Sequence, residues 1–220
     1  LYVTSPTLDN FRGLIRIQGQ APVPFERYAF NSLFVTVAAT GGFMLVASMA
    51  AYPLAKATFP GSRTFFQVVV LSLLFTTEVT ALPLYLVMST LHMIDTYFAL
   101  ILPAIGSSLG LFLMKQFISV LPDSMIEAVK VDGAGTFRTY WSIVMPNVKP
   151  AWMTCIIFAF QSIWNYEGTQ FIYDESLKVL PTMFRQISEG GISRVGVGAA
   201  AAVLLMIPPI LIFTFSQSQV

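Results

Sequence analysis

Between Asn31 and Leu54 the chain runs 24 residues without a charged side chain. A helix rising about 1.5 Å per residue crosses a hydrocarbon layer with roughly 20 such residues. A single run of this kind would also suit a buried core helix, but four more apolar runs follow, Phe65–Leu91, Tyr97–Leu113, Ala151–Tyr166 and Gly196–Phe215. Five in 220 residues leave too little polar chain to cover them in water. Only 10% of the residues are charged, against about a quarter in soluble domains. The expected fold class is therefore an all-α polytopic membrane protein, because spanning helices satisfy their own backbone polar groups.

The runs differ in character. Gly41, Gly42, Ala47, Ser48, Ala50 and Ala51 give the first one small surfaces for close helix packing. The second contains Glu78 and Pro83. A carboxylate at membrane depth is costly unless it faces protein or water, and proline removes a backbone hydrogen bond, so this run is expected to be kinked or discontinuous. The third ends at Lys115, and Pro208-Pro209 is expected to bend the last. Residues 1–29 read as a loop-like segment outside the membrane, 30–217 as the membrane domain, and 167–195 as a polar loop on the same side as the N-terminus. Charge does not orient the chain: with alternating spans, six basic residues fall on each side, Lys56, Arg63, Lys115, Lys130, Arg138 and Lys149 against Arg12, Arg16, Arg27, Lys178, Arg185 and Arg194.

Several chemistries are excluded. No G-x-x-x-x-G-K-[ST] phosphate loop and no H-E-x-x-H occur, and His92, set in a short turn, is the single histidine. Cys155, the one cysteine, reads as a small apolar residue of a helix. No nucleophile and base stand at matched depth, so the chain is not expected to be an enzyme. A net charge of +1 gives no basic block for nucleic acid.

One polar island remains, Ser124–Pro146, in the segment 122–150. Ser124 and Glu127 have capping-box spacing, a short apolar helix follows, and Asp132-Gly133 is a turn signal with Gly133 suited to a left-handed helix end. A second helical piece is expected from Thr136, with Pro146 and Pro150 marking the approach to the next span. A capped helix, tight turn and helix at the membrane surface serve equally as a linker or as a ridge that docks in a partner's groove.

The residues Glu127-Ala128-Val129-x-x-Asp132-Gly133-Ala134, followed by Ile143-x-x-Pro146, resemble the EAA loop of ABC-importer permeases. Val129 and Met145 depart from the usual Ala and Leu. Asn31-Ser32-Leu33, Ala51-Tyr52, Trp164-Asn165 and the Ala-rich last span are similar to the carbohydrate-uptake, MalG-like branch. The resemblance implies the type I ABC-importer permease fold in the bacterial cytoplasmic (inner) membrane, multi-pass, with the EAA loop cytoplasmic. It implies a six-helix core, so a first helix ahead of the five present is expected. It implies no cofactor in this chain, with ATP and Mg on partner subunits. The implied partners are a second permease subunit (a heterodimer), two cytoplasmic ATPase subunits, an extracellular solute-binding protein, a carbohydrate substrate (an oligosaccharide is the finer expectation) and the lipid bilayer.

In this reading Glu127 pairs with a basic residue of the ATPase, Ala128 and Ala134 allow close approach, Asp132 and Gly133 set the turn, and Ile143 and Pro146 fix the exit into the next span. Glu78, Gln161, Trp164, Asn165 and Glu167 are the expected substrate path, with Trp164 and Tyr166 suited to stacking on sugar rings; helix–helix hydrogen bonding and interface anchoring are the structural alternative. Two other functions stay open: a secondary transporter or channel using Glu78 as an ion site, and a membrane scaffold.

Overall fold

The computed structural model describes residues 8–18, 23–189 and 195–217, and their regular structure is entirely helical. Helix α1, Asp9–Gln18, precedes α2, Phe25–Lys56, which is 32 residues long. Helices α3, Ser62–Ser72, and α4, Thr77–Thr90, meet at 111°. Helices α5, Tyr97–Ile105, and α6, Ser108–Val120, run on as one span across Gly106-Ser107. The polar island forms α7, Asp123–Val131, α8, Thr136–Thr139, a π-helical turn at Tyr140–Val144 and α9, Met145–Asn147. It meets α10, Lys149–Trp164, at 81°. Helices α11, Leu180–Ser188, and α12, Val195–Ser216, complete the chain.

Among the described residues three helices are long and apolar enough to cross a bilayer, and up to five spans result if each bent pair counts as one. They correspond to the five apolar runs, the second bent pair also taking in Thr136–Asn147 of the polar island. Helix α2 is the centre of the bundle and packs on α5, α6 and α10. Small residues bring it close: Ala47, Ser48 and Ala51 are buried, and a Cβ on Gly110 of α6 would stand 2.0 Å from the Phe43 ring of α2. The loops gather at two ends. Residues 57–61 and 121–148 occupy one, and the start of α2, the turn at 91–96 and residues 165–180 the other.

Several boundaries differ from expectation. The segment 1–29 is not uniformly loop-like: residues 9–18 are helical, and α2 begins at Phe25 rather than Asn31. Helix α1 buries Leu14 among Val197 and Ala201 of α12, a partner nearly two hundred positions away in sequence. The third span passes Lys115 and reaches Val120, because the Lys115 ammonium lies 4.5 Å above the Phe66 ring. Residues 167–195 contain α11, whose Leu180, Met183, Phe184 and Ile187 are core residues; Arg194, counted in the charge tally, lies outside the described residues. The second run is discontinuous, but it breaks at Leu73–Thr76, while Pro83 sits inside α4. Helix α12 continues through Pro208-Pro209.

Candidate coupling surface and membrane cleft

Helix α7 starts two residues earlier than a Ser124 cap requires. Pro122 is its N-cap, no side chain caps it, and the expected Ser124–Glu127 box does not form. Proline in extended backbone ahead of Asp123 ends the preceding segment without needing a capping hydroxyl. At the other end Gly133, at φ +77°, closes α7: its N–H donates to the Lys130 carbonyl (3.0 Å) and that of Ala134 to Val129 (3.1 Å). This pair of crossed bonds is the Schellman arrangement, in which a left-handed residue satisfies the last carbonyls.

Only one side of α7 is used by the bundle. Ile126 is buried, whereas Met125, Glu127, Ala128 and Lys130 are exposed, and so are Val131, Asp132 and Phe137 beyond them. Glu127 makes no hydrogen bond or ion pair among the described residues. The outward face therefore carries apolar side chains, a free carboxylate and small residues, as a helix docking into a groove would. Ala134 and Ile143 are half-buried, and Pro146 is exposed in α9. The bend into α10 falls at Val148, between α9 and α10, one turn beyond the π-helical segment Tyr140–Val144.

Two polar side-chain contacts among the described residues fasten this surface to α2, beside the apolar packing of Ile126 and Tyr140. The Lys56 ammonium, in the last turn of α2, donates to the Asp123 carboxylate (2.7 Å) and to the carbonyls of Ser119 and Leu121. The Tyr140 hydroxyl lies 2.7 Å from that of Ser48, in a buried contact. Neither was foreseen; the signal available was Lys56 itself, the first charge after the long neutral run.

A cleft of about 440 Å³ opens between α2, α4, α5, α6 and α10. Thr77, Thr80, Ser107, Ser162, Tyr166 and Gln170 give it polar edges, and no charged side chain lines it among the described residues. None of the five expected substrate-path residues does so either. Trp164 is 6% exposed, stacks on Phe160 and donates from Nε1 to the Leu205 carbonyl at 3.0 Å. Its ring is spent on packing α10 against α12. Asn165 donates back to the Gln161 carbonyl, and Glu167 pairs with Arg185. Glu78 is exposed in the first turn of α4. Of the residues singled out for substrate, Tyr166 is the one that lines the cleft among the described residues.

The opposite end is clamped. Asn31 Nδ2 donates to the carbonyls of Ser176 and Lys178, both at 2.9 Å, and its oxygen accepts from the Tyr97 hydroxyl. Ser32 accepts from the Leu180 N–H at 2.7 Å. Asp95, at φ +57°, accepts from the backbone N–H groups of Tyr173 and Asp174 at 2.6 and 2.9 Å. Glu189 first, then Glu167, raise the pKa of the Arg185 guanidinium beyond its ordinary value. No group of three or more His, Cys, Asp or Glu placed to hold a metal occurs among the described residues.

Residues 28–220 match the family model described as "Binding-protein-dependent transport system inner membrane component". The sn-glycerol-3-phosphate transport system permease protein UgpE of Yersinia enterocolitica is 31% identical over 207 residues, which is 90% of this chain and 72% of that one. The UgpE protein of Brucella melitensis is 31% identical over 215 residues, 94% and 74% of the two chains. Among solved structures, a chain of a bacterial ABC transporter involved in the import of the acidic polysaccharide alginate superposes with a TM-score of 0.78 at 22% identity, covering 88% of this chain and 74% of that one.

Proposed function

The chain belongs to the family of binding-protein-dependent transport system inner membrane components, and from that premise we propose that it is the membrane-spanning permease subunit of an ATP-driven sugar importer. The observation that carries the coupling part of this reading is α7: an exposed helix whose inner face is anchored and whose outer face has no partner among the described residues. Here that face sits in the cytoplasm and docks on one of two ATPase subunits, which hold ATP and Mg. Glu127 meets a basic residue of the ATPase, Ala128 and Ala134 admit its surface, Asp132 and Gly133 hold the turn, and Ile143 and Pro146 lie at the elbow into α10. A second permease completes a heterodimer, and an extracellular solute-binding protein delivers substrate to the clamped end. ATP-driven movement of α7 then exposes the cleft alternately to the two sides.

The names of the relatives point to sn-glycerol 3-phosphate, and that of the structural neighbour to an acidic polysaccharide. Both are polyhydroxylated, and both are anionic. The uncharged cleft of this subunit suits the hydroxylated portion, with Tyr166 stacking and Ser162, Thr80 and Gln170 hydrogen bonding. Any anionic group would be met by the second permease. Oligosaccharides are the longer members of this class. Glu78 lies exposed at a helix start, with no cation beside it among the described residues, so nothing favours the ion-driven reading.

The test is purification through a tag on this chain from cells expressing the neighbouring genes, followed by reconstitution. Two ATPase subunits should come with it, and uptake of labelled sn-glycerol 3-phosphate or a labelled acidic oligosaccharide should require ATP. Ion-gradient-driven uptake by the lone chain would overturn the reading.

A further inference from the structure

Lys56 stands where three helix ends meet. Its side chain is 8% exposed, and the ammonium is held by the Ser119 carbonyl, the Leu121 carbonyl and the Asp123 carboxylate. A cation suits the carbonyl end of α2, and an anion suits the amide end of α7. The two carbonyls belong to the end of α6, which has no later turn to satisfy them. An ammonium so withdrawn from water has exchanged its hydration for three acceptors and cannot leave them cheaply. The three contacts are not equivalent: the carbonyls tie α2 to α6, and the carboxylate makes the polar tie from that junction to α7, beside the apolar packing of Ile126.

Helix α2 also holds the opposite end of the bundle. Arg27, Asn31 and Ser32 bind the backbone of residues 176–180. At about 1.5 Å per residue, its 32 residues make a rod of roughly 48 Å joining the two sets of contacts.

We infer that Lys56 and Asp123 are positioning residues that latch α7 to α2, so that displacement of α7 is carried along α2 to the loop at 169–180 and opens the cleft at that end. The inference rests on the importer reading and adds the route by which movement crosses the membrane. It also separates route from stability. The Asp123 side chain is 76% exposed, so Asp123→Ala removes the polar tie between α2 and α7 while Lys56 keeps both carbonyls and Ile126 keeps its place in the core, and the α2–α6 junction stays intact.

The experiment uses the complete complex in proteoliposomes, in a Cys155→Ser, Ser162→Cys background that places one thiol in the cleft. Labelling by a membrane-impermeant maleimide from the outer side is timed with and without ATP plus vanadate. Rates are normalised to the nucleotide trapped by each variant. With Lys56 and Asp123 intact, trapping should accelerate labelling. Asp123→Ala should cut that acceleration at least about fivefold, the low end of energetic coupling between sites. Asp123→Glu and Lys56→Arg, which preserve the ion pair, should restore most of it. A full acceleration in Asp123→Ala, or an Asp123→Glu as impaired as the alanine variant, overturns the latch. No acceleration in the parent complex would instead overturn the importer reading, and the latch with it.

Discussion

The hydroxyls of Ser48 and Tyr140 lie 2.7 Å apart where α2 meets the π-helical turn before α10. Ser48 donates its proton to the Met44 carbonyl at 2.6 Å and therefore accepts from Tyr140. The two hydroxyls are thus unequal. Tyr140→Phe leaves Ser48 satisfied and should cost about 0.5–1.5 kcal/mol. Ser48→Ala strands the Tyr140 hydroxyl, which has no other partner among the described residues, and should cost about 1–3 kcal/mol. Thermal unfolding of the detergent-solubilised protein should place Ser48→Ala below Tyr140→Phe; the reverse order would refute the assigned donor direction.

Two glycines of the bundle should respond oppositely to alanine. At Gly110 the new methyl would meet the Phe43 ring at 2.0 Å. Relief requires displacing the buried Phe43 ring or moving α6 from α2, so overpacking of about 1–3 kcal/mol is expected. Gly41, on the outer side of α2, has nothing within 4 Å of the added carbon, and alanine there should gain up to about 1 kcal/mol of helix propensity. Comparing the two melting temperatures checks the packing directly; a Gly110→Ala variant as stable as Gly41→Ala would contradict the close approach.

The number and order of spans were legible because a hydrocarbon layer demands length and apolarity, and both are written in the residue order. Span ends were less so. Glu26 and Arg27 lie inside α2, and Lys115 lies inside α6 over an aromatic ring; a charge ends a span only if nothing nearby receives it. Helices α1 and α11 are amphipathic pieces whose apolar faces acquire meaning from α12, a partner that residue order does not reveal. At the coupling surface Gly133 was readable because glycine tolerates the left-handed turn, whereas the Ser124 cap was displaced by Pro122. Trp164 illustrates the hardest case: an indole suits sugar stacking and core packing alike, and the Leu205 carbonyl decides between them.

The clamp at 95–174 should grade with the side chain at position 95. Asp95 combines φ +57° with two accepted backbone bonds. Asn tolerates that backbone and keeps one acceptor oxygen, so Asp95→Asn should be mild. Asp95→Gly relieves the backbone but loses both bonds, and Asp95→Ala loses the bonds and retains the strain. Hydrogen exchange at the Tyr173 and Asp174 amides should quicken in the order Asn, Gly, Ala. Equal rates for Asp and Ala would remove the clamp from the account.

Acid should loosen the same loop through Asp174. Its carboxylate accepts from the Ser176 N–H at 2.9 Å, and that bond, then the Ser176 side chain, lower its pKa from the ordinary 3.8. A lowered folded-state value means that the contribution is fully present above the ordinary carboxylate pKa and is lost as pH falls through the lower folded one. Protection of the Ser176 amide should hold at pH 5 and decline below about pH 4. Asp174→Asn should flatten that decline; an unchanged acid profile in this variant would place its cause elsewhere.

Glu127 and Gly133 should separate docking from local order. Glu127 is exposed and has no partner among the described residues, so Glu127→Ala should change stability by no more than about 0.5 kcal/mol while abolishing uptake by the assembled importer. Gly133 acts within the chain: at φ +77° an alanine should cost about 1–2 kcal/mol and weaken uptake in proportion. Gly133→Pro loses more, because proline holds φ near −65° and lacks the N–H that meets the Lys130 carbonyl. Solute capture by the separate binding protein should survive all three. If Glu127 served only its own helix, its alanine variant would lose stability and transport together, as the Gly133 variants do. A stable Glu127→Ala protein that still transports would remove the carboxylate from the coupling contact and leave α7 docking through its apolar ridge alone.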